Sequence, residues 1–544
     1  MTDPETSAEH LAIARQAFGD EFVAFCLNCK LPLEGAYDDD NRVAALAELA
    51  TLAHFTLNPP PGRDGYSVAW RVNLTQGSDT GGVIYGLRRF CGGEVQRPTS
   101  EDETELRLLE CIYEAYPAIL LPPSANEIPP YPDLMGMDSE TFGLLVESFL
   151  LDEDLKRLFP NQAGRIEDPS QPDKKTDHTI ADHWWMAGSG GTAFATIVAN
   201  NLVEHAFRVA ALRDERSLDA CLQHGADGLR VARSLARGEV ARVLHVTGYS
   251  NLRLQAGLTS IPLGSSELRS LSSRGKACIR PFGESAELAE LAVFSEIDEQ
   301  LVDLNPRIDD EKEGEAVHNK RWLKYFPKAQ ESLDKRRRNA NLFRYTLLLA
   351  TTSEVITAVP RGDMVLNPLT KPTSFPVGGE HLSVVPSAEV TAEIATSLAE
   401  WTLRVDEHHP TSLDIGMRRL LSAATTRPDD MDGFVDAVMC WENIFGDSQD
   451  TSLKVCGSLS RLLEPDDSER RRKLYESLKK MYELRSKLVH GASEPDSATA
   501  SRQRKEAVDI AIGAMRALYD WPNLLKARNS VERWKSTLIG PSSR

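Results

Sequence analysis

Two side chains near the end of one polar segment have the types needed to move protons and steady a phosphate. In RRRKLYESLKKMYELRSKLVHG (470–491), Arg485 is followed after four residues by His490 and then Gly491. An RNA strand can be cut without a metal when its own 2′-hydroxyl attacks the neighbouring phosphate. A histidine then moves the protons, and an arginine balances the charge that builds on the phosphate. Spacing alone does not select this pair. LRVDEHHP holds Arg404 and His409 at the same interval, also near a helix end, and a chain with 12 histidines is expected to contain one such match by chance.

The elements around the motif decide how the pair can be used. Leu474, Leu478, Met481 and Leu488 give 467–490 an apolar stripe at helical spacing. Ser468 is the expected N-cap and Gly491 the expected left-handed C-cap residue. His490 then falls at the helix C-terminus, where unpaired carbonyls favour the imidazolium. Five residues turn an ideal helix by about 500°, so Arg485 and His490 do not share a face. The pair works better if His490 lies on a frayed end, and better still if a second copy contributes across a dimer cleft. The run Arg470, Arg471, Arg472 and Lys473, with Lys479, Lys480 and Lys487, makes the segment locally positive. It could guide RNA phosphates or simply form a solvated helix face.

The preceding helices add context. DGFVDAVMCWENIF (432–445) and SLSRLLE (458–464) precede MYELRSKLVHG. Together they resemble the core of Apea-like HEPN domains, which pair an LE-x-LF-like helix with a later helix ending in Arg, four residues, His and Gly. The resemblance covers about residues 380–528 and places Glu442 in the Glu position. It implies a two-fold homodimer and metal-independent endoribonuclease activity giving 2′,3′-cyclic phosphate products, with no cofactor. Arg485 and His490 would be the catalytic pair, with Ser486 and Glu442 supporting. Such domains often serve in phage defence or toxin systems. Ser486 stands where active members often carry Asn, Asp or His. The alternative is a HEPN fold that only dimerises or binds a ligand or RNA. Glu442 can also be read as a plain ion-pair partner for a lysine or arginine of the neighbouring helix.

Other chemistry-bearing residues form weaker patterns. Cys26 and Cys29 make half of a zinc motif, but no second CxxC follows, so free thiols are expected and no metal site is assigned. His178 and His183, with Asp177 and Asp182, lack a standard ligand spacing. Gly188-Ser-Gly-Gly191 lacks the Lys-Ser/Thr of a P-loop and reads as a flexible loop. Lys335-Arg-Arg-Arg338 reads as a solvated loop. No motif marks residues 1–376 as an enzyme.

The net charge of −19 disfavours promiscuous binding to phosphates, so a nucleic-acid site must be local. The hydrophobic fraction of 41% allows buried cores throughout. Eight scattered cysteines, a polar acidic N-terminus and the lack of a long apolar run suggest a cytoplasmic protein without a membrane partner. The fold class expected is α+β and multidomain. Residues 1–176 read as mixed, with helices at 7–18, 41–55 and 102–118 and a hairpin of strands at 66–74 and 81–90. Residues 122–132 and 167–177 read as loops, and 139–159 as one or two short helices. Residues 177–376 read as an α+β region, helical from 192 to 237, then β-rich at 240–249, 252–263, 277–282 and 341–352 around a charged insert at 308–340. The Pro/Gly-rich stretch 359–380 reads as the domain boundary, 377–528 as an all-helical domain and 529–544 as a tail. The front regions would sense a phage or cellular trigger, or restrain the helical domain.

Overall fold

The computed structural model describes residues 4–33, 35–36, 38–57, 78–122, 140–159, 184–186, 189–191, 195–279, 289–303, 311–351, 355–371, 387–491 and 495–540. The N-terminal part is helical: α1 (Pro4–Cys26, kinked at Gly19), α2 (Asp40–Leu57), α3 (Ser78–Phe90), α4 (Glu103–Ile119) and α5 (Glu140–Leu151). Asp102 caps α4 by accepting from the Glu105 amide. The strand expected at 81–90 is instead part of α3, while its expected partner at 66–74 lies outside the described residues. The reason is packing on one side. Ile84 and Tyr85 are buried, and Tyr85 stacks on Tyr113 of α4 at 4.5 Å. Arg88, one turn later, lies over Phe25 of α1.

The middle begins with β1 (Trp184–Met186) and β2 (Ser189–Gly191), then α6 (Ala195–Arg213) and α7 (Leu218–Ala236). Residues 189–191, expected as a loop, pair antiparallel with β1. Next come β3 (Val240–Ser250), β4 (Leu252–Leu254), β5 (Ser260–Leu263), β6 (Ser266–Ser270), α8 (Ser273–Ile279), β7 (Leu291–Gln300) and β8 (Val302–Asp303). The strand expected at 277–282 begins as the end of α8, and its remainder lies outside the described residues. The helix α9 (Glu311–Ala350) and the strand β9 (Val359–Leu366) follow. A five-stranded sheet runs β5-β6-β7-β3-β9, and all its pairs are antiparallel. The Pro/Gly-rich stretch expected to be a boundary thus starts as a strand. It sits on the sheet edge, where Pro360 and Gly362 are tolerated. The sheet's two faces differ. Val246 packs toward the N-terminal helices, whereas Tyr249 and Leu291 pack against Phe343 and Leu347 of α9.

α9 takes up most of the charged insert expected at 308–340 and replaces the strand expected at 341–352 over its described part. NLFRYTLLLATT has no single apolar stripe because this stretch is covered on several sides. Phe343 and Leu347 face the sheet's core, while Leu342, Tyr345, Leu348 and Leu349 enter the core of the C-terminal bundle. An all-round apolar helix segment and a buried strand look alike by periodicity.

β10 (Ala388–Val390) pairs in parallel with β4. The chain then forms α10 (Ala392–His408), α11 (Asp414–Leu421), a π-turn at 422–426, α12 (Asp430–Phe445), α13 (Thr451–Leu463), α14 (Ser468–Val489) and α15 (Ser497–Tyr519). Two short helices, α16 (Pro522–Leu525) and α17 (Ser530–Leu538), close it. Residues 530–538, expected within a tail, are therefore helical. Arg533 of α17 is fully buried and donates to Leu524 O and Ala527 O. Trp441 of α12 is fully buried at the bundle's centre. Among the described residues, no helix is long and apolar enough to cross a membrane.

Candidate active site

α14 carries the motif and is held at both ends. Asp467, not Ser468, is its N-cap: the carboxylate accepts from the Glu469 and Arg470 amides, each at 2.9 Å. At the other end the helix stops at Val489. His490 is the cap residue, and Gly491 adopts φ 83° while its amide reaches Leu488 O at 3.0 Å. A left-handed residue without a Cβ is what such a stop needs. Leu478 and Met481 are buried, so the helix face carrying them is fixed against the bundle.

That orientation points Arg485 at Glu442 of α12. The guanidinium donates through Nη2 to Glu442 Oε2 at 3.2 Å, and the two side chains are 22% and 23% exposed. Tyr482, one turn before Arg485, donates its hydroxyl to the other carboxylate oxygen at 2.6 Å. Burial and the adjoining carboxylate push the Tyr482 phenol well up, so it stays a donor. The ion-pair role for Glu442 is the one found. Arg485 Nε is buried without a hydrogen-bond partner among the described residues.

These three side chains form one wall of an open cleft of about 720 Å³. Asn443, Gly446 and Asp447 at the end of α12 and Arg528, Asn529 and Ser530 also line it. Asn529 also caps α17, accepting from the Glu532 amide at 2.9 Å. Lys454 meets Asp447 at 2.7 Å and holds its carboxyl below the usual range.

His490 is exposed and does not line this cleft. Arg485 and His490 are therefore on one helix but not in one pocket of a single chain, in line with the face mismatch of their spacing. Ser486 is half-buried and lies outside the cleft lining. The basic run does not line it either. Arg470 and Lys473 are exposed and pair locally with Asp467 and Glu469. Arg471 folds back onto Glu464 O at 2.8 Å and onto Pro465 O. Arg472 and Lys487 are exposed. From Arg472 to Arg485 the helix rises by about 20 Å, so residues 470–473 sit at the far end from the cleft, while Lys487 is near Arg485 but outside the lining.

Tyr482 and Arg528 are among the cleft residues that escaped sequence reasoning. Tyr482 had a usable signal, since a residue three before Arg485 must share its face. Arg528 had none, because it arrives from after α15 through a fold-level turn of the chain.

The second Arg-x4-His match has a structural use. Arg404 pairs with Asp520 at 2.8 Å and covers the Trp401 ring at 4.5 Å. His409 is buried, with its Nδ1 2.9 Å from the Tyr519 hydroxyl and its Nε2 3.3 Å from Asp414. Burial pushes its pKa down to about 4. The eight cysteines are free thiols, with Cys29 half-buried and the others buried. His178, His183, Asp177 and Asp182 lie outside the described residues. Among the described residues no cluster of three His, Cys, Asp or Glu could hold a metal. Lys335 and Arg337 are exposed, but Arg336 is buried against Asp363 at 2.8 Å and Arg338 pairs with Asp414, so this run belongs to α9 rather than to a solvated loop.

Comparison of the chain with protein-family models, with curated proteins and with solved structures finds no match.

Proposed function

We propose that the C-terminal bundle is a HEPN-type endoribonuclease that cuts RNA without a metal, with Arg485 and His490 as its working pair. The observation that carries this reading is the placement of Arg485 on the wall of an open cleft, held by Glu442, on the same helix whose end presents an exposed His490. Arg485 uses Nη2 on Glu442 and its Nε is buried, which leaves Nη1 to meet a phosphate. His490 moves the proton of the 2′-hydroxyl and protects the leaving oxygen from building charge. The products are 2′,3′-cyclic phosphate and 5′-hydroxyl ends.

The two side chains of one copy do not line one cleft, so the active unit is a homodimer that brings both motif-helix ends to a shared groove. The N-terminal and middle regions regulate it through α9, whose side chains belong to both the sheet core and the bundle core. A phage or cellular trigger is the expected input, and antiviral defence or a toxin-like role the expected setting.

The test is cleavage of mixed RNA by the full chain in EDTA, with DNA as control and with end-group analysis of the products. Cleavage that depends on added Mg²⁺, or that survives unchanged in His490→Ala, overturns the mechanism. A second reading, a bundle that only binds RNA or a ligand, draws on the separation of Arg485 from His490. It predicts RNA binding that Arg485→Ala weakens, with no cleavage by wild type under any trigger.

A further inference from the structure

A second cavity, of about 320 Å³, lies between the five-stranded sheet and helices α9 and α10. A row of polar side chains drawn from three strands runs beside it, and two of its members, His245 and Ser295, line the cavity. Ser295 on β7 stands directly across from His245 on β3 in the antiparallel register. Ser295 Oγ is 3.1 Å from His245 Nδ1, and His245 Nε2 is 2.6 Å from Asp363 Oδ1 on β9.

The protons in this row can be assigned from the partners. Burial alone would raise the Asp363 carboxyl, but hydrogen bonds from His245 and Thr247 and the nearby Arg336 outweigh it and hold Asp363 below the ordinary range. An ionised carboxylate only accepts. His245 Nε2 therefore carries a hydrogen toward Asp363, and in the neutral imidazole Nδ1 is the acceptor that faces the Ser295 hydroxyl. Arg336 takes the other carboxylate oxygen at 2.8 Å and Thr247 shares the first at 3.0 Å, so the carboxylate cannot rotate away.

The geometry points to Ser295 as a nucleophile, with His245 as its general base and Asp363 as a positioning residue, in an acyl-transfer site distinct from the cleft at Arg485. A hydroxyl hydrogen-bonded to an imidazole that is itself oriented by a carboxylate is the arrangement that activates serine, whatever fold presents it. A cavity to hold the reacting group is present, and both Ser295 and His245 line it. Ser266 and Asn339 line it too and are the donors available to a developing oxyanion.

The lining also restricts the substrate. Arg338 is already paired with Asp414, and Asp406 adds a carboxyl to the lining. Tyr249, Leu263 and Phe343 make one wall apolar. The fitting class is a small ester with an uncharged, apolar acyl group. In the first half-reaction Ser295 Oγ bonds to the carbonyl carbon and its proton passes to His245 Nδ1. The bond to the alcohol oxygen breaks, and the alcohol leaves with that proton. Water then adds to the carbonyl carbon, the Ser295 ester bond breaks, and the proton returns to Oγ through His245.

A neutral alkyl fluorophosphonate tests this on the full chain. Ser295 Oγ should bond to phosphorus as fluoride leaves, and peptide mass mapping should find the adduct on Ser295. The urea-unfolded chain and Ser295→Ala should remain unlabelled there, and His245→Gln should label at least about 100-fold more slowly. Absence of an adduct on Ser295 in folded wild type overturns the assignment. So does undiminished labelling in a His245→Gln chain that keeps its melting transition. If His245→Gln fails to fold, the contrast between folded and unfolded wild type decides the matter alone.

Discussion

At the bundle's cleft, Arg485 keeps 22% of its side chain exposed and meets one carboxylate. At the sheet's cavity, Asp363 and Arg336 are 10% and 5% exposed, and the carboxylate is held by His245, Thr247 and Arg336 together. The difference is one of what removal leaves behind. A truncated cleft residue leaves its partner in reach of water. A truncated cavity residue leaves a buried charge without compensation, which is the costlier outcome. Cleft residues should thus register in activity, and the Asp363–Arg336 pair in stability.

The largest expected effect is at the end of the motif helix. His490→Ala should slow RNA cleavage by about 10²–10⁴-fold, the usual range for losing a general acid or base, while urea unfolding shifts by less than about 0.5 kcal/mol for an exposed residue. A stability loss as large as the activity loss would break the contrast. Asp363→Asn should do the reverse. It leaves Arg336 buried and unpaired and should lower unfolding stability by about 3–5 kcal/mol. A chain carrying it that melts like wild type would show the cavity to be wetter than its burial implies.

Acid sharpens the comparison further. His409, buried beside the cavity, has a folded pKa of about 4, below the ordinary value of 6.5. The unfolded chain then binds the proton more readily, so stability is unaffected above about pH 6.5 and falls as pH drops toward 4. His409→Gln should flatten that part of a stability-versus-pH curve, and an unchanged slope would remove His409 as its source. Asp363 acts in a lower window. Its folded pKa is depressed, so its contribution is present above the unfolded value of about 3.9 and is lost as pH falls through the folded one. Smallest of all, Lys473→Ala removes an exposed pair with Glu469 and should cost no more than about 0.5 kcal/mol. It should leave cleavage unchanged, and a strong loss of cleavage would mean RNA reaches the far end of α14.

How much of each region could be read from sequence follows the same divide. The end of α14 was legible because its signals are local: a Gly suited to positive φ, an apolar stripe and a cap just before residue 469. The cap itself was misplaced by one residue, since Asp467 and Ser468 are both good cap types and only geometry selects between them. The row from Ser295 to His245 to Asp363 was invisible. Its members are 50 and 118 residues apart, and each sits in a strand whose alternation would read the same with other polar residues. The strands expected at 81–90 and 341–352 failed because short apolar runs do not distinguish a buried strand from a buried helix. The three front patterns weighed for metal ligation or phosphate binding lacked the further residues that each chemistry needs.

The helix α9 also determines where the molecule can be divided. Arg516 of α15 donates to Leu349 O at 2.9 Å and Leu348 O at 3.2 Å, close to where Leu342, Tyr345, Leu348 and Leu349 enter the bundle core. A fragment starting after the Pro/Gly-rich stretch would lose these four side chains. At about 1.5–3 kcal/mol each, their loss is comparable with the whole stability of an ordinary domain, about 5–15 kcal/mol. A linker by composition is therefore not a seam in the fold. The C-terminal bundle borrows part of its interior from upstream chain, and a truncation that keeps it folded has to begin ahead of α9. Proteolysis between residues 371 and 387 should accordingly leave two pieces that stay associated and unfold together, rather than a released helical unit.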